Sequence, residues 1–360
     1  MTRNKVLPII GLSKHHYYYK SKGKRSGREP SKTTLRLIEG KEVEATNDQI
    51  VDKITAIQKD PDTDYGYQRM HSSLILAGYF INKKKVYRIM KENFLLKPRV
   101  KKPNKTYAKY RVLTPEKPLT LLEMDIKYFW ITEQRRYAYV LTIIDTFTRY
   151  VLDWRLGYTM KTYQVKEVWE KIIINYLQPR NMLKEGIHIE VRNDNGPQFS
   201  SKKTQEFFKE NYLNQVFTHP YTPQENGHVE SFHSILSTSI GHQQFWTLMD
   251  LENRLKIFYH NYNNVRIHGS TAGLPPIIFW NLWEQGNIKR TIMKNKKAKF
   301  KLLIPAQLIS GNESLREVPC LENKTLEESC FLQKEEKMEA GLPNLHIQPS
   351  VQRSPSVVPC

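Results

Sequence analysis

Along the chain, apolar and polar positions change their spacing several times, and each change predicts a boundary. Up to about residue 46 apolar residues recur without a regular period. Aromatics there run into basic residues, with His15, His16, Tyr17, Tyr18 and Tyr19 followed by Lys20, Lys22, Lys24, Arg25 and Arg28. Such a stretch suits nucleic-acid contact by stacking and charge, and equally suits a basic arm with nothing to bury. From residue 47 the spacing turns helical. Ile50, Val51, Ile54 and Ile57 form one apolar face that Asn47 could cap, and Asp60-Pro61-Asp62 ends it. A second helix opens at Tyr65-Gly66-Tyr67, runs through Leu74 and Leu76, and stops at Gly78. Asn82 caps a third, in which Val86, Ile89 and Met90 face inward while Lys84, Lys85 and Arg88 face outward. Residues 97–118 are rich in proline and charge and read as an extended basic linker.

Strand-like runs follow. Leu121 to Trp130, Tyr137 to Asp145 and Tyr150 to Leu156 are rich in Val, Ile, Leu and Tyr. Thr162 to Leu177 has a helical apolar face of Val165, Val168, Trp169, Ile172 and Ile173. Ile187 to Arg192 predicts a fourth strand, and a helix capped by Ser200 carries Phe207, Phe208 and Leu213. Gln215 to Thr218 predicts the fifth strand. A final helix begins near Gly227, with Val229, Phe232, Leu236 and Ile240 at i, i+3, i+7 and i+11. Three strands, then strands separated by helices, predict α/β layering. Beyond Lys289 to Lys301, another basic run, periodicity fades. Serine, proline and glutamate dominate from about residue 305, which predicts disorder.

Charge sharpens the picture. The 360 residues carry 56 Lys+Arg against 36 Asp+Glu, a formal net charge of +20. A polyanion, DNA or RNA, is the partner such a balance favours. No apolar run approaches the roughly 18 residues of a membrane span. Cys320, Cys330 and Cys360 have no CxxC spacing, which predicts neither a disulfide framework nor a zinc site and fits a reducing cytoplasm.

Candidate chemistry lies in three acids. Asp125 sits inside the strand-like run Glu123-Met124-Asp125-Ile126-Lys127-Tyr128, and Asp194 follows Ile187 to Arg192 in Asn193-Asp194-Asn195-Gly196-Pro197-Gln198-Phe199. Glu230 follows Asp194 with 35 residues between them, in Pro220-Tyr221-Thr222-Pro223-Gln224-Glu225-Asn226-Gly227-His228-Val229-Glu230-Ser231-Phe232. A carboxylate in or beside an apolar strand is costly unless paired. A divalent cation is a fitting partner, because Mg²⁺ takes a few carboxylates and keeps water and phosphate oxygens in its other positions.

These three words resemble the D,D(35)E pattern of the retroviral-integrase-like transposases, most of all the orfB-type catalytic protein of bacterial insertion sequences. The resemblance covers about residues 45 to 280. It implies an RNase H-like integrase catalytic core, a mixed five-stranded sheet with helices, over 119–282. It also implies a small all-α helix-turn-helix-like domain over 47–96, on the G-Y-x-R and N-x-K-x-V-x-R-x-M words. A basic aromatic arm (1–46), a basic linker (97–118) and a basic then disordered tail (283–360) complete the expected organisation. A similar Tyr-containing stretch opens the reading frame in that family, which would put Met1 near a natural start.

Asp125, Asp194 and Glu230 are then expected to be both catalytic and metal-binding, holding two Mg²⁺ or Mn²⁺ ions for DNA cleavage and strand transfer. The DNA-contact candidates are Tyr67, Arg69, Lys84, Lys85, Arg88, Asn195, Gln198, Gln224, His228, Ser234, Ser237 and Arg266. For Arg266 and His268, in the word Tyr262-Asn263-Asn264-Val265-Arg266-Ile267-His268, core packing is the alternative. Many relatives carry Lys or Arg seven residues after the glutamate, where this chain has Ser237. That departure supports a second reading, a DNA-binding protein with a non-catalytic core. The expected partners are element-end and target DNA, further copies of the chain, and a small upstream-frame helix-turn-helix protein. The expected setting is a bacterial nucleoid, with no membrane.

Overall fold

The computed structural model describes residues 3–19, 29–98, 114–218, 226–293, 297–309 and 312–318. Helices α1 (Arg3–Ile9) and α2 (Lys14–Tyr18) come first. The hairpin of β1 (Thr33–Ile38) and β2 (Lys41–Thr46) follows, antiparallel from Thr33↔Thr46 to Ile38↔Lys41. Its turn is Glu39-Gly40, with φ of 49° and 76°, the conformation that matches the twist of the flanking strands. The sequence predicts only an arm here, because most side chains of this hairpin are exposed and leave no alternation to read. What holds it is backbone pairing to the next domain: the Leu37 amide donates to the Gly78 carbonyl (2.9 Å) and the Phe80 amide to the Leu35 carbonyl (2.8 Å).

The expected helical domain forms from α3 (Asn47–Lys59), α4 (Tyr67–Leu76) and α5 (Lys83–Glu92). Thr46, one residue before the expected cap, closes α3 in a reciprocal pair with Gln49. Asn82 caps α5 as read, accepting the Lys85 amide at 2.8 Å. Ile50, Ile54, Met70, Leu74, Val86, Ile89 and Met90 make the core.

The central sheet joins β3 (Leu121–Ile131), β4 (Arg136–Asp145), β5 (Val151–Gly157), β6 (Ile189–Asn193) and β7 (Leu213–Phe217) in the order β5-β4-β3-β6-β7. The first three pair antiparallel, whereas β6 runs parallel to both β3 and β7. Helix α6 (Thr162–Ile172) continues as one π-helical turn to Leu177, and its Trp169 indole reaches Met124 Sδ at 3.3 Å. Short α7 (Pro197–Ser200) leads into α8 (Lys202–Glu210), whose cap is Ser201 rather than Ser200. Leu213, read as part of that helix, opens β7 instead, because the left-handed Tyr212 (φ 57°) has already turned the chain.

Helices α9 (Gly227–Ile240) and α10 (Leu248–Asn264) cover the other face. Val229, Phe232, Leu236 and Ile240, the stripe read from spacing, share a core with Phe129, Ile131, Ala138 and Val140. Burying side chains of this size stabilises by about 1.5–3 kcal/mol each.

After α11 (Pro276–Glu284) comes a second hairpin, β8 (Ile288–Ile292) and β9 (Ala298–Leu302). The basic run expected as tail is therefore part of the fold. Phe300 packs edge-on against Phe147 (5.2 Å) and Phe279 (5.0 Å), while neighbouring lysines point outward. Order also extends past residue 305, where fading periodicity predicts none. Leu315 is buried and its carbonyl accepts Asn281 Nδ2 at 3.0 Å. Single residues docked on α11 leave no periodic pattern to read. The three cysteines, and the tail beyond residue 318, lie outside the described residues.

A buried acid lies where the helical domain meets the sheet domain. The Asp62 carboxylate, between α3 and α4, accepts Arg254 at 2.6 and 3.2 Å, Asn261 Nδ2 at 2.8 Å and the Ser239 hydroxyl. Its carbonyl accepts Arg266. The Tyr65 hydroxyl accepts the Ile267 amide at 2.9 Å, and Ile267 belongs to the helical domain's core. For Arg266 and His268, both 8% exposed, packing is the role that this location supports.

Candidate active site

Two neighbouring parallel strands and one helix start bring the three acids into a shared electric field. The β3–β6 register ends at Glu123↔Arg192. Continued by two residues, it sets Asp125 abreast of Asp194, just past the end of β6. Glu230 lies in the first turn of α9, the helix that packs across β3. Asp194 turns the chain by accepting the Gly196 amide at 3.0 Å. A Cβ at position 196 would meet the Gln198 side chain at 2.4 Å and Asp194 Oδ1 at 3.0 Å, so glycine keeps this turn tight.

Both Asp194 and Glu230 reach solvent, yet the surrounding protein withdraws enough water to raise their carboxyls above the usual range. The Asp125 charge adds to that in each case, against the Gly196 hydrogen bond at Asp194 and together with Glu123 at Glu230. Among the described residues neither acid has an ion-pair partner. Asp125 Oδ2 faces His233 Nδ1 at 3.3 Å.

Three oxygen-donor side chains, with the Asp125 charge acting on each of the other two, are the donor chemistry that a hard divalent ion fits. Among the described residues, however, no three acidic, histidine or cysteine side chains are drawn together into a finished cage.

Two residues of this neighbourhood make contacts that the sequence does not predict. Glu123, 2% exposed, accepts the His228 and Val229 amides with Oε2 (2.9 and 2.8 Å), and its Oε1 pairs with His228 Nδ1 (2.7 Å). Burial pushes its carboxyl up to about 7, against the Val229 hydrogen bond and the positive fields of Arg149 and Arg192. The available signal was an acid two residues before Asp125, hence on the same strand face, inside Leu121-Leu122-Glu123-Met124. The other is His233, one turn after Glu230 on the face toward Asp125, with its Nε2 buried and unpartnered.

The DNA-contact candidates scatter. Arg69 and Lys84 are exposed, and Tyr67 packs edge-on against Tyr87 at 5.1 Å. Lys85, expected to face solvent, instead donates to Thr33 O and Thr34 Oγ1 at 2.6 Å and to Ser31 Oγ at 3.1 Å. Arg88 reaches the Ser31 carbonyl at 3.1 Å. The segment entering the unforeseen hairpin thus lies across part of the basic face. Asn195 donates to the Thr218 carbonyl at 3.3 Å, and Gln198 lies against Gly196, beside Asp194. His228 is committed to Glu123. Ser234 is exposed, whereas the Ser237 hydroxyl donates back to the His233 carbonyl at 2.8 Å. Gln224 lies outside the described residues.

Comparison with known proteins agrees with this architecture. Residues 115–223 and 211–276 each match an integrase core domain family, and residues 45–103 match an HTH-like domain family. The chain therefore carries an integrase core domain preceded by a helix-turn-helix-like domain. It is 25% identical over 217 residues to an uncharacterized 39.2 kDa protein of insertion element IS476 from Xanthomonas euvesicatoria, covering 60% of each chain. It is 26% identical over 236 residues to the putative transposase InsK of insertion sequence IS150 from Escherichia coli, covering 60% of this chain and 77% of that protein. With the putative integrase ORF3 of Spiroplasma virus SpV1-C74 it shares 30% identity over 207 residues, covering 52% of this chain and 53% of that one. Among solved structures, the HTLV-2 integrase catalytic core domain in complex with magnesium is 16% identical. It covers 44% of this chain and 95% of that one, with a TM-score of 0.31. Among the described residues no helix is long and apolar enough to cross a membrane.

Proposed function

We propose that this chain is a DNA transposase that cleaves and joins DNA strands with Asp125, Asp194 and Glu230. What supports the reading is placement at one edge of an integrase core: the β3–β6 register, continued by two residues, sets Asp125 abreast of Asp194, and Glu230 stands in the first turn of α9. There, burial and then the Asp125 charge raise the carboxyls of both Asp194 and Glu230. The same residues are the ones that would hold Mg²⁺ or Mn²⁺. Two such ions, when bound, would activate the attacking oxygen and stabilise the leaving one.

The chain's own contribution is orientation. β3 and β6 fix Asp125 and the entry to Asp194 as neighbours, and α9 brings Glu230 in from its first turn. Water as the incoming nucleophile nicks DNA, and a 3′-hydroxyl joins strands. A net charge of +20 supplies the attraction for the polyanion. Residues 45–103 are the proposed DNA-binding module, reading through Lys84 and Arg69, and its affinity is expected to fall steeply with salt in a filter-binding or anisotropy series. Assembly as several copies on DNA, with a small upstream-frame partner, belongs to the same proposal.

The test is cleavage and strand transfer on element-end duplexes in Mg²⁺ or Mn²⁺. Asp125→Asn, Asp194→Asn and Glu230→Gln should each abolish both reactions while leaving DNA affinity intact. A wild-type chain that binds DNA but neither cleaves nor joins it would favour the non-catalytic reading raised by Ser237. Near-normal turnover in any of the three variants would overturn the site.

A further inference from the structure

A helix start leaves its first amides without intrahelical acceptors, and a side chain at the N-cap normally supplies one. At α9 this local solution is missing. Asn226, the N-cap, makes no capping hydrogen bond, and its Oδ1 is buried without a partner. The acceptor comes from another element instead. Glu123 of β3 takes the His228 and Val229 amides on one carboxylate oxygen and the His228 ring on the other. It is 2% exposed, so water does not compete for these bonds.

The position of this tie in the chain gives it consequence. Glu123 is two residues before Asp125 on the same strand face, and His228 and Val229 immediately precede Glu230. A single side chain therefore links the strand that carries one acid to the helical turn that carries another. Among the described residues strand and helix are otherwise joined by apolar packing and by the approach of His233 Nδ1 to Asp125 Oδ2 at 3.3 Å, and packing tolerates sliding far better than three hydrogen bonds to one carboxylate.

We propose that Glu123 is a positioning residue that sets the distance and orientation of Glu230 relative to Asp125. It acts through the first turn of α9 and not by contact with substrate. The inference rests on the reading of Asp125, Asp194 and Glu230 as a divalent-cation site. Glu123→Gln keeps one oxygen able to accept both amides and should preserve the tie. Glu123→Ala removes it, and Glu123→Asp keeps the charge but withdraws the carboxylate by one methylene.

The full-length chain would be examined in two ways. Amide hydrogen exchange over residues 226–233 reads the tie without any metal. Mn²⁺ titration, followed by electron paramagnetic resonance with Asp125→Asn as reference, reads its consequence. Expected are faster exchange in Glu123→Ala and Glu123→Asp, near-wild-type exchange in Glu123→Gln, and Mn²⁺ affinity weakened by about 10-fold or more in the first two only. A general loss of fold would lower Ala, Asp and Gln variants alike and would not spare Mn²⁺ affinity in one of them.

Wild-type exchange in Glu123→Asp would overturn the tie itself. Faster exchange with unchanged Mn²⁺ affinity would overturn its positioning role. If wild type and Asp125→Asn bind Mn²⁺ equally, the cation site is wrong, and the positioning role falls with it while the exchange result still reports the tie.

Discussion

Asp62 on one side, Asp194 and Glu230 on the other, are carboxylates whose surroundings treat them in opposite ways. Burial alone would raise Asp62, but hydrogen bonds from Arg254, Ser239 and Asn261, with the Arg254 charge, outweigh it and hold the carboxyl below its usual range. Asp194, just past β6, and Glu230, at the start of α9, are pushed upward by burial and by the Asp125 charge, and among the described residues neither has an ion-pair partner. An acid whose every lone pair is answered from within the chain is part of the architecture. Acids without such an answer are, in the function proposed here, left for a ligand from outside. The contrast also explains Ser239. Two residues beyond Ser237, it is buried against Asp62 instead of lying on an open helix face, so a lysine there would break the domain joint and not merely add charge.

The comparison is sharpest in activity. Asp125→Asn should remove transition-state stabilisation of several kcal/mol, about 1000-fold in cleavage rate at 1.36 kcal/mol per decade. Its melting temperature should barely move, as a paired thermal scan and cleavage assay would show. A variant that loses stability in proportion to activity would make Asp125 architectural.

Asp62→Ala should do the reverse. It strands the largely buried Arg254 without a counter-charge, a change that costs about 3–5 kcal/mol, measurable by urea unfolding. Mn²⁺ affinity of the molecules that remain folded should be unchanged. Stability equal to wild type would mean that the joint contributes nothing.

Acid should close the gap between wild type and Asp62→Ala. The folded-state pKa of Asp62 lies below the unfolded value of about 3.9. Its stabilisation is therefore fully present above that value and is lost as pH falls through the folded pKa. Unfolding free energies of the two chains should converge below about pH 4, and a constant difference down to low pH would refute the assignment.

The smallest effect belongs to Asp194→Asn at neutral pH in the presence of a chelator. Removing a charge that the fold already disfavours should leave stability within about 0.5 kcal/mol of wild type, or above it. A drop of the size expected for Asp62→Ala would mean that Asp194 has an internal partner.

By itself, the sequence determined what repeats and what is written in local words. Helical periods from Ile50 to Met90, the strand-like runs from Leu121 to Phe217 and the α9 stripe of Val229, Phe232, Leu236 and Ile240 all reappear in the structure. Backbone geometry forces such spacing wherever one face is buried. The three acids proposed as the site stand out in the sequence because each lies in its own recognisable word. Tertiary structure alone decided what rests on residues far apart in the chain or on single contacts. The Thr33–Thr46 hairpin has little buried face, and its backbone bonds go to the helical domain. Phe300 and Leu315 dock one at a time, so the segment around them reads as tail. Lys85 looks like an open basic residue until Ser31, Thr33 and Thr34, over fifty positions away, are laid across it. Glu123 caps a helix that begins more than a hundred residues later, and Asp62 pairs with an arginine still farther off. A hydrogen bond depends on distance in space and angle, neither of which is set by separation along the chain. The identities of these acids were visible in the sequence, but which would be satisfied within the fold was decided only when the strands and helices packed.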